Sequence, residues 1–344
     1  MSVDVPSDPA RQERVSTPDM QTAPPARREW TRKVLARYGV IVVIAITFAI
    51  FSLLRPSAFF TAVTIKGILR DCAPLMIASL GITFVLVMND YDLSVGGLIS
   101  LCATVVVVLM SPAYVGVNYI VAIVLTLLIG VALGLLNGVL VSYIRLPAFI
   151  LTIAMGTVFT GAGLQIVNSQ SVYQGIPQAF INIASGSFLG FSNQVFIGLV
   201  ILVIAYVVLQ HTEAGRYMYA LGGNPEAARL SGLRVRVLRT AGFVLVGLAA
   251  AIAGILINSE AGAANPDTGV GLLLPAYAAA FLGSSMFRVG RFSALGTAVG
   301  AFYLQMIGTG LTILSLSGPV VQMIQGGILV GAIGVARASK ATDA

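Results

Sequence analysis

Charge is scarce in these 344 residues: Asp, Glu, Lys and Arg together make up 10%, against 57% apolar side chains. Mean hydropathy is +0.94, well above that of a soluble domain. The only lysines are Lys33, Lys66 and Lys340, and none follows a glycine. That excludes the phosphate-gripping pattern G-x-x-x-x-G-K-[ST], so this chain does not hold ATP in that way. Cys72 and Cys102 are the only cysteines, both inside apolar runs. They offer neither a disulfide framework nor a metal site and read as small packing residues. The single histidine, His211, falls at a helix end and reads as an interfacial residue rather than a proton shuttle. No predicted helix centre carries an Asp, Glu, Lys or Arg relay, which argues against a proton-coupled carrier.

What the sequence has in abundance is apolar stretches long enough to cross a bilayer, whose core of about 30 Å needs roughly 20 helical residues. The clearest are Val34 to Leu54, Arg70 to Met88, Asn118 to Ile144, Ala148 to Asn168, Gln194 to Gln210, Thr240 to Ser259, Phe292 to Leu314 and Pro319 to Ala336. Two shorter ones run from Ser94 to Met110 and from Leu273 to Met286. The expectation is an all-α integral membrane protein of about ten transmembrane helices, some short or broken near the centre. Residues 1–33 form a polar, Pro-rich tail predicted to be disordered, residues 34–337 the membrane domain, and 338–344 a short tail. The first tail lacks the apolar core of a secretory signal. Its basic end, Arg27 to Arg37 around Trp30, suits an anionic lipid surface rather than nucleic acid.

Charge decides orientation. With both termini in the cytoplasm, all of the 20 Lys and Arg residues fall inside except Arg55, Lys66 and Arg70. The external loops are then Ser111 to Val117, Ser169 to Asn193 and Glu260 to Gly271, none with a basic residue. The second is the longest, with room for a short helix and a partner.

Glycines spaced four apart, Gly130, Gly134 and Gly138 and again Gly296 and Gly300, predict close helix packing, as does the stretch Gln325, Gly326, Gly327, Gly331 and Gly334. The segment Leu273 to Met286, with Pro275 near its start, is too short to span comfortably. Such interruptions are tolerated only against protein or a water-filled cavity, which makes this a candidate pathway wall. The run Asn89-Asp90-Tyr91-Asp92-Leu93-Ser94 carries two carboxylates between apolar segments. It reads either as part of the pathway or as a turn in which Asp92 or Ser94 caps the next helix. Candidate pathway residues are Asn89, Asp90, Asp92, Ser94, Asn137, Gln165, Asn168, Pro275 and Gln305. The amides among them, with Asn258, Gln322 and Gln325, suit a neutral, hydroxyl-rich solute or hydrogen bonds between helices.

The longest cytoplasmic loop, residues 211–239, is the place to receive a partner. Asn224 as N-cap, Pro225 in the first turn and Gly232 as stop predict a short helix there. The residues expected to contact that partner, an ATPase subunit if the energy does not come from an ion gradient, are Gly223, Asn224, Glu226, Ala227, Ala228, Arg229, Ser231 and Gly232.

This loop, together with Asp92-Leu93-Ser94-Val95-Gly96-Gly97 and Gly283-Ser284-Ser285 leading to Leu295-Gly296-Thr297, resembles the ribose-type permeases of bacterial ATP-binding-cassette importers. These belong to the branched-chain amino-acid and sugar permease superfamily, and the resemblance covers nearly everything after the first tail. It implies a multi-pass permease in the bacterial plasma membrane, a dimer of identical or related chains, and a cytoplasmic ABC ATPase that carries ATP and Mg, leaving this chain without catalysis or cofactor. It also implies an external substrate-binding protein that delivers a monosaccharide or polyol. Membership of the motif marks Asp92 as more important to transport than Asp90. Leu272 to Pro275 stands where many relatives have an acidic residue, and Ser284, Val289 and Phe292 replace common glycines, so ribose itself is not implied. The competing reading is a stand-alone carrier or facilitator for a small neutral solute.

Overall fold

The computed structural model describes residues 42–285 and 290–342, with side chains up to residue 331. The first tail, the start of the first predicted span, Met286, Arg288, Val289 and the surroundings of Gly334, Arg337 and Lys340 lie outside that description. The chain is an all-α membrane protein. Six helices are long and apolar enough to cross a bilayer: α3 (Ala62–Val87), α5 (Tyr119–Ser142), α6 (Ala148–Ile166), α8 (Asn193–His211), α11 (Val235–Ala261) and α13 (Ala294–Ile313). Shorter apolar helices are α1 (Val42–Leu54), α4 (Val95–Met110), α12 (Leu273–Ser284) and α14 (Gly318–Thr342). The remaining helices lie between them: α2 (Pro56–Phe59), α7 (Gln178–Ser185), α9 (Glu213–Gly223) and α10 (Pro225–Leu230).

Helices α3 and α11 run through the middle of the bundle, while α5, α6 and α8 turn most of their surface outward. Their outward side chains are apolar, including Leu128, Ile150 and Val200, as a lipid solvent demands. Small residues let the central helices approach. A Cβ at Gly130 would stand 2.6 Å from the carbonyl oxygen of Gly247, and one at Gly134 would meet the backbone of Phe243 and Val244. Gly138 backs onto Thr240, so the predicted glycine face of α5 lies along α11. Gly296 and Gly300 serve α13 similarly against Gly283 and Ala279 of α12.

The last glycine-rich stretch is a correction. A Cβ at Gly326, Gly327 or Gly331 meets nothing within 4 Å, so these residues pack against no other part of the described chain.

Contacts between segments distant in sequence sort these helix ends onto two faces. On one, Arg70 Nε lies 2.7 Å from Glu260 Oε1, Val172 pairs with Ala264, and Lys66 Nζ stands 5.3 Å from the Phe191 ring centroid. On the other, Arg239 pairs with Asp90, Tyr219 Oη donates to the Phe292 carbonyl at 2.7 Å, and Arg236 stands over the Tyr143 ring. This grouping is the one that alternation of the predicted spans requires. Residues 169–193 hold the predicted short helix, α7, and also a hairpin pairing Ser187–Phe188 with Phe191–Ser192. Leu189 and Gly190 both have positive φ, +51° and +78°, as a two-residue turn needs.

Candidate functional site

Three features of the sequence acquire geometry. The first is the connection after α8, which is helical almost throughout. Thr212 caps α9, accepting from Gly215 N, and α9 runs to Gly223. Asn224 then ends α9 and caps α10, its Oδ1 accepting from Glu226 N at 3.1 Å and Ala227 N at 3.0 Å. Pro225 occupies the first turn, where its missing N–H costs nothing. Gly232 follows with φ +81°, a left-handed conformation in which a side chain is strained. Glu226 and Arg229 pair on the outer surface at 2.7 Å, each more than 60% exposed, and this contact raises the Arg229 pKa. Ala227 is exposed, whereas Ala228 turns inward and is buried.

Behind α10, Gly222 backs onto the end of α3: a Cβ there would run into the Val87 carbonyl. Around that contact opens a cavity of about 490 Å³, lined by residues that include Asn89, Tyr219, Gly223 and Arg291. The Arg291 guanidinium covers the Tyr219 ring at 4.1 Å. The end of α9, from which α10 follows, is thus fixed to the end of α3 by backbone contact.

The second feature is the turn from Met88 to Ser94. Asn89 is exposed, in the left-handed region at φ +60°. Asp90 is 7% exposed and receives both Nε and Nη2 of Arg239, a two-pronged pair that ties the turn to α11. Asp92 is fully buried. Its Oδ1 accepts from Ser94 N at 2.9 Å and from Ser94 Oγ at 2.5 Å. Ser94 Oγ in turn accepts from Asn137 Nδ2 of α5 at 2.8 Å. The backbone completes the knot: Asp92 N donates to Tyr277 Oη of α12, and Leu93 N to Thr152 Oγ1 of α6. Two acceptors, Asp92 Oδ2 and Asn137 Oδ1, have no partner among the described residues.

This knot joins α4, α5, α6 and α12 at one point. Asp92 holds the turn ahead of α4 through its two bonds to Ser94, while Ser94, at the N-cap position, makes no side-chain cap bond to the helix. Of the predicted pathway residues, Asp92, Ser94 and Asn137 come together here and Asp90 lies two residues away. Gln165 and Asn168 do not join them: both are exposed at the far end of α6. Gln305 is half-buried on α13.

The third feature is the short helix α12. Its 12 residues reach about 18 Å. It is preceded by an irregular descent from Gly262 and a single 3₁₀ turn, Val270–Leu272. Gly269 N donates to Ser100 Oγ at 3.0 Å, and the Gly269 carbonyl lies against Gly96. The predicted broken segment is therefore real, and it packs beside the first half of α4. Pro275 forms part of a cavity of about 300 Å³ between this segment and α14, with Gln322, Gln325 and Gly326 opposite.

Arg239, Thr152 and Tyr277 are site residues that the sequence does not single out. Arg239 is visible there only as one arginine of a basic loop. A lone Thr or Tyr in an apolar helix carries no signal until its partner, more than fifty residues away in sequence, is known.

Comparison with known proteins bears on the chain as a whole. Residues 64–333 match the family model described as the branched-chain amino acid transport system permease component. The chain is 34% identical to the ribose import permease protein of Escherichia coli (strain K12) over 85% of its length and 90% of that protein's. It is 31% identical to the D-allose transport system permease protein of the same strain, covering 88% of this chain and 91% of that one. It is also 31% identical to an L-arabinose ABC transporter permease protein of Azospirillum brasilense, covering 92% of both. No solved structure matches the chain.

Proposed function

Since the chain belongs to the family of the branched-chain amino acid transport system permease component, we propose that it is the membrane-spanning subunit of an ATP-binding-cassette importer. Its cargo is a monosaccharide, the class named for the ribose, allose and arabinose relatives, each matched over most of its length. It is a multi-pass protein of the bacterial inner membrane and not itself an enzyme. The observation that carries this reading is their likeness across the whole membrane domain.

The finer assignment follows from charge and geometry. Ten crossings with both termini in the cytoplasm place the Arg239 face inside, where the basic residues gather. Helix α10 then stands at the cytoplasmic surface, offering exposed Glu226, Ala227 and Arg229 to a groove on a separate ATPase subunit. Gly222, near the end of α9, stands against Val87, so a push on α10 passes through α9 to the end of α3 and the Met88 to Ser94 turn. Two copies of the chain, two ATPases and an external binding protein complete the importer, and ATP-driven closure switches the access of a central path. Selection rests mainly with the binding protein, so contacts in the path are few.

Co-purification with the ATPase and binding protein, followed by a panel of sugars offered to the latter, tests the assignment. A pentose or hexose that binds and is taken up is the expected result. Binding of an amino acid instead of any sugar contradicts it.

A further inference from the structure

The cavity between the broken segment and α14 is lined from Val270 to Pro275, directly after Gly269, which reaches Ser100 of α4. Ser100, which receives Gly269 N, precedes the end of α4 at Met110 by a helical distance of about 15 Å. That is half of a bilayer core of about 30 Å. Irregular backbone at such depth persists only where protein or water covers it. Yet Val270 and Leu274 are 48% and 59% exposed, and Gly271 beside them is exposed as well.

The opposite wall has the chemistry of a solute contact. Neither Gln322 nor Gln325 has a hydrogen-bond partner among the described residues. Gly308 of α13 leaves room for the Gln325 amide, since a Cβ there would stand 3.2 Å from Nε2. Gly326, which also lines the cavity, is unpacked. No ionisable group is among the lining residues, in contrast to the cavity beside Asp71 and Glu260. At about 300 Å³ the space sits at the small end of ligand pockets, which run from about 300 to 1,000 Å³.

We propose that this cavity is a transit subsite for one neutral monosaccharide. The Gln322 and Gln325 amides exchange hydrogen bonds with its hydroxyls, and Leu274 and Pro275 lie against a C–H face of the ring. The proposal rests on the import of a sugar argued above and adds the residues that the sugar touches.

Two variants test it in proteoliposomes holding the permease, its ATPase and the sugar-loaded binding protein. Leu274→Trp fills the cavity, and the double variant Gln322→Leu/Gln325→Leu removes both amides while keeping side-chain bulk. Loss of two neutral hydrogen bonds predicts a fall of about ten-fold in sugar taken up per ATP hydrolysed. Wild-type ratios in both variants overturn the subsite and leave the importer reading intact. Absence of ATP-driven sugar uptake by the wild-type complex overturns both.

A second measurement guards against misassembly. The thiol introduced by Leu274→Cys, in a chain that also carries Cys72→Ala and Cys102→Ala, is expected to react with a water-soluble, membrane-impermeant thiosulfonate. The reaction should slow when the complex turns over with the sugar. A thiol at this position that the reagent never reaches in the assembled complex faces lipid, and that result overturns the proposal.

Discussion

Arg239 Nε donates to Asp90 Oδ2 across 2.6 Å, joining the beginning of α11 to the turn between α3 and α4. The pair sits where the coupling connection enters the bundle, because α11 continues directly from the segment that follows α10. Asp90 is nearly buried while Arg239 is one-third exposed. Removing one partner therefore strands a charge that water reaches only from one side.

Asp90→Asn and Arg239→Gln should each lower stability in detergent by about 1–3 kcal/mol, the cost of an unsatisfied buried group. The double variant should lose less than the sum, because neither charge is then stranded. Thermal unfolding of the four proteins measures the coupling. Strict additivity would show that the contact is not energetically joined.

Asp92 behaves differently. Its Oδ1 accepts twice from Ser94, and an asparagine keeps that oxygen while replacing the buried Oδ2, which has no partner among the described residues, by a neutral amide. Asp92→Asn should therefore retain folding and most transport, whereas Asp92→Leu should lose both. The geometry thus reverses the order expected from motif membership, with Asp90→Asn the more damaging of the two asparagine variants. Uptake rates measured side by side at matched expression decide it, and a larger defect in Asp92→Asn would contradict the assignment of Asp92 as a hydrogen-bond organiser.

Much of this was legible beforehand because membrane helices and caps are local. The short helix at Pro225, its Asn224 cap and the Gly232 stop depend on adjacent residues alone. The broken helix at Pro275 announced itself by length. The knot at Asp92 did not, because its partners Asn137, Thr152 and Tyr277 come from three other helices. Glycine spacing was a partial guide: it located the α5 to α11 seam but also pointed to packing at Gly326, where the chain offers no neighbour. Spacing reports that a backbone can be approached, not what approaches it.

For the coupling helix, Asn224→Ala removes the acceptor for two N–H groups and should cost about 1 kcal/mol of local stability. Glu226→Arg reverses the outward charge without touching a buried contact. It should leave insertion intact while ATP hydrolysis proceeds with little uptake. Replacing Gly232 by a bulky residue should act similarly, through its positive φ. ATPase activity and uptake recorded on the same proteoliposomes make the comparison, and unchanged coupling in Glu226→Arg would remove α10 from the mechanism.

The most direct test is accumulation of a labelled sugar by purified chain in proteoliposomes, with and without the ATPase, the binding protein and ATP. The account predicts uptake against a gradient only when all are present, and none when ATP is withheld. Uphill transport by this chain alone, or transport indifferent to ATP in the full complex, would contradict it and favour a stand-alone carrier.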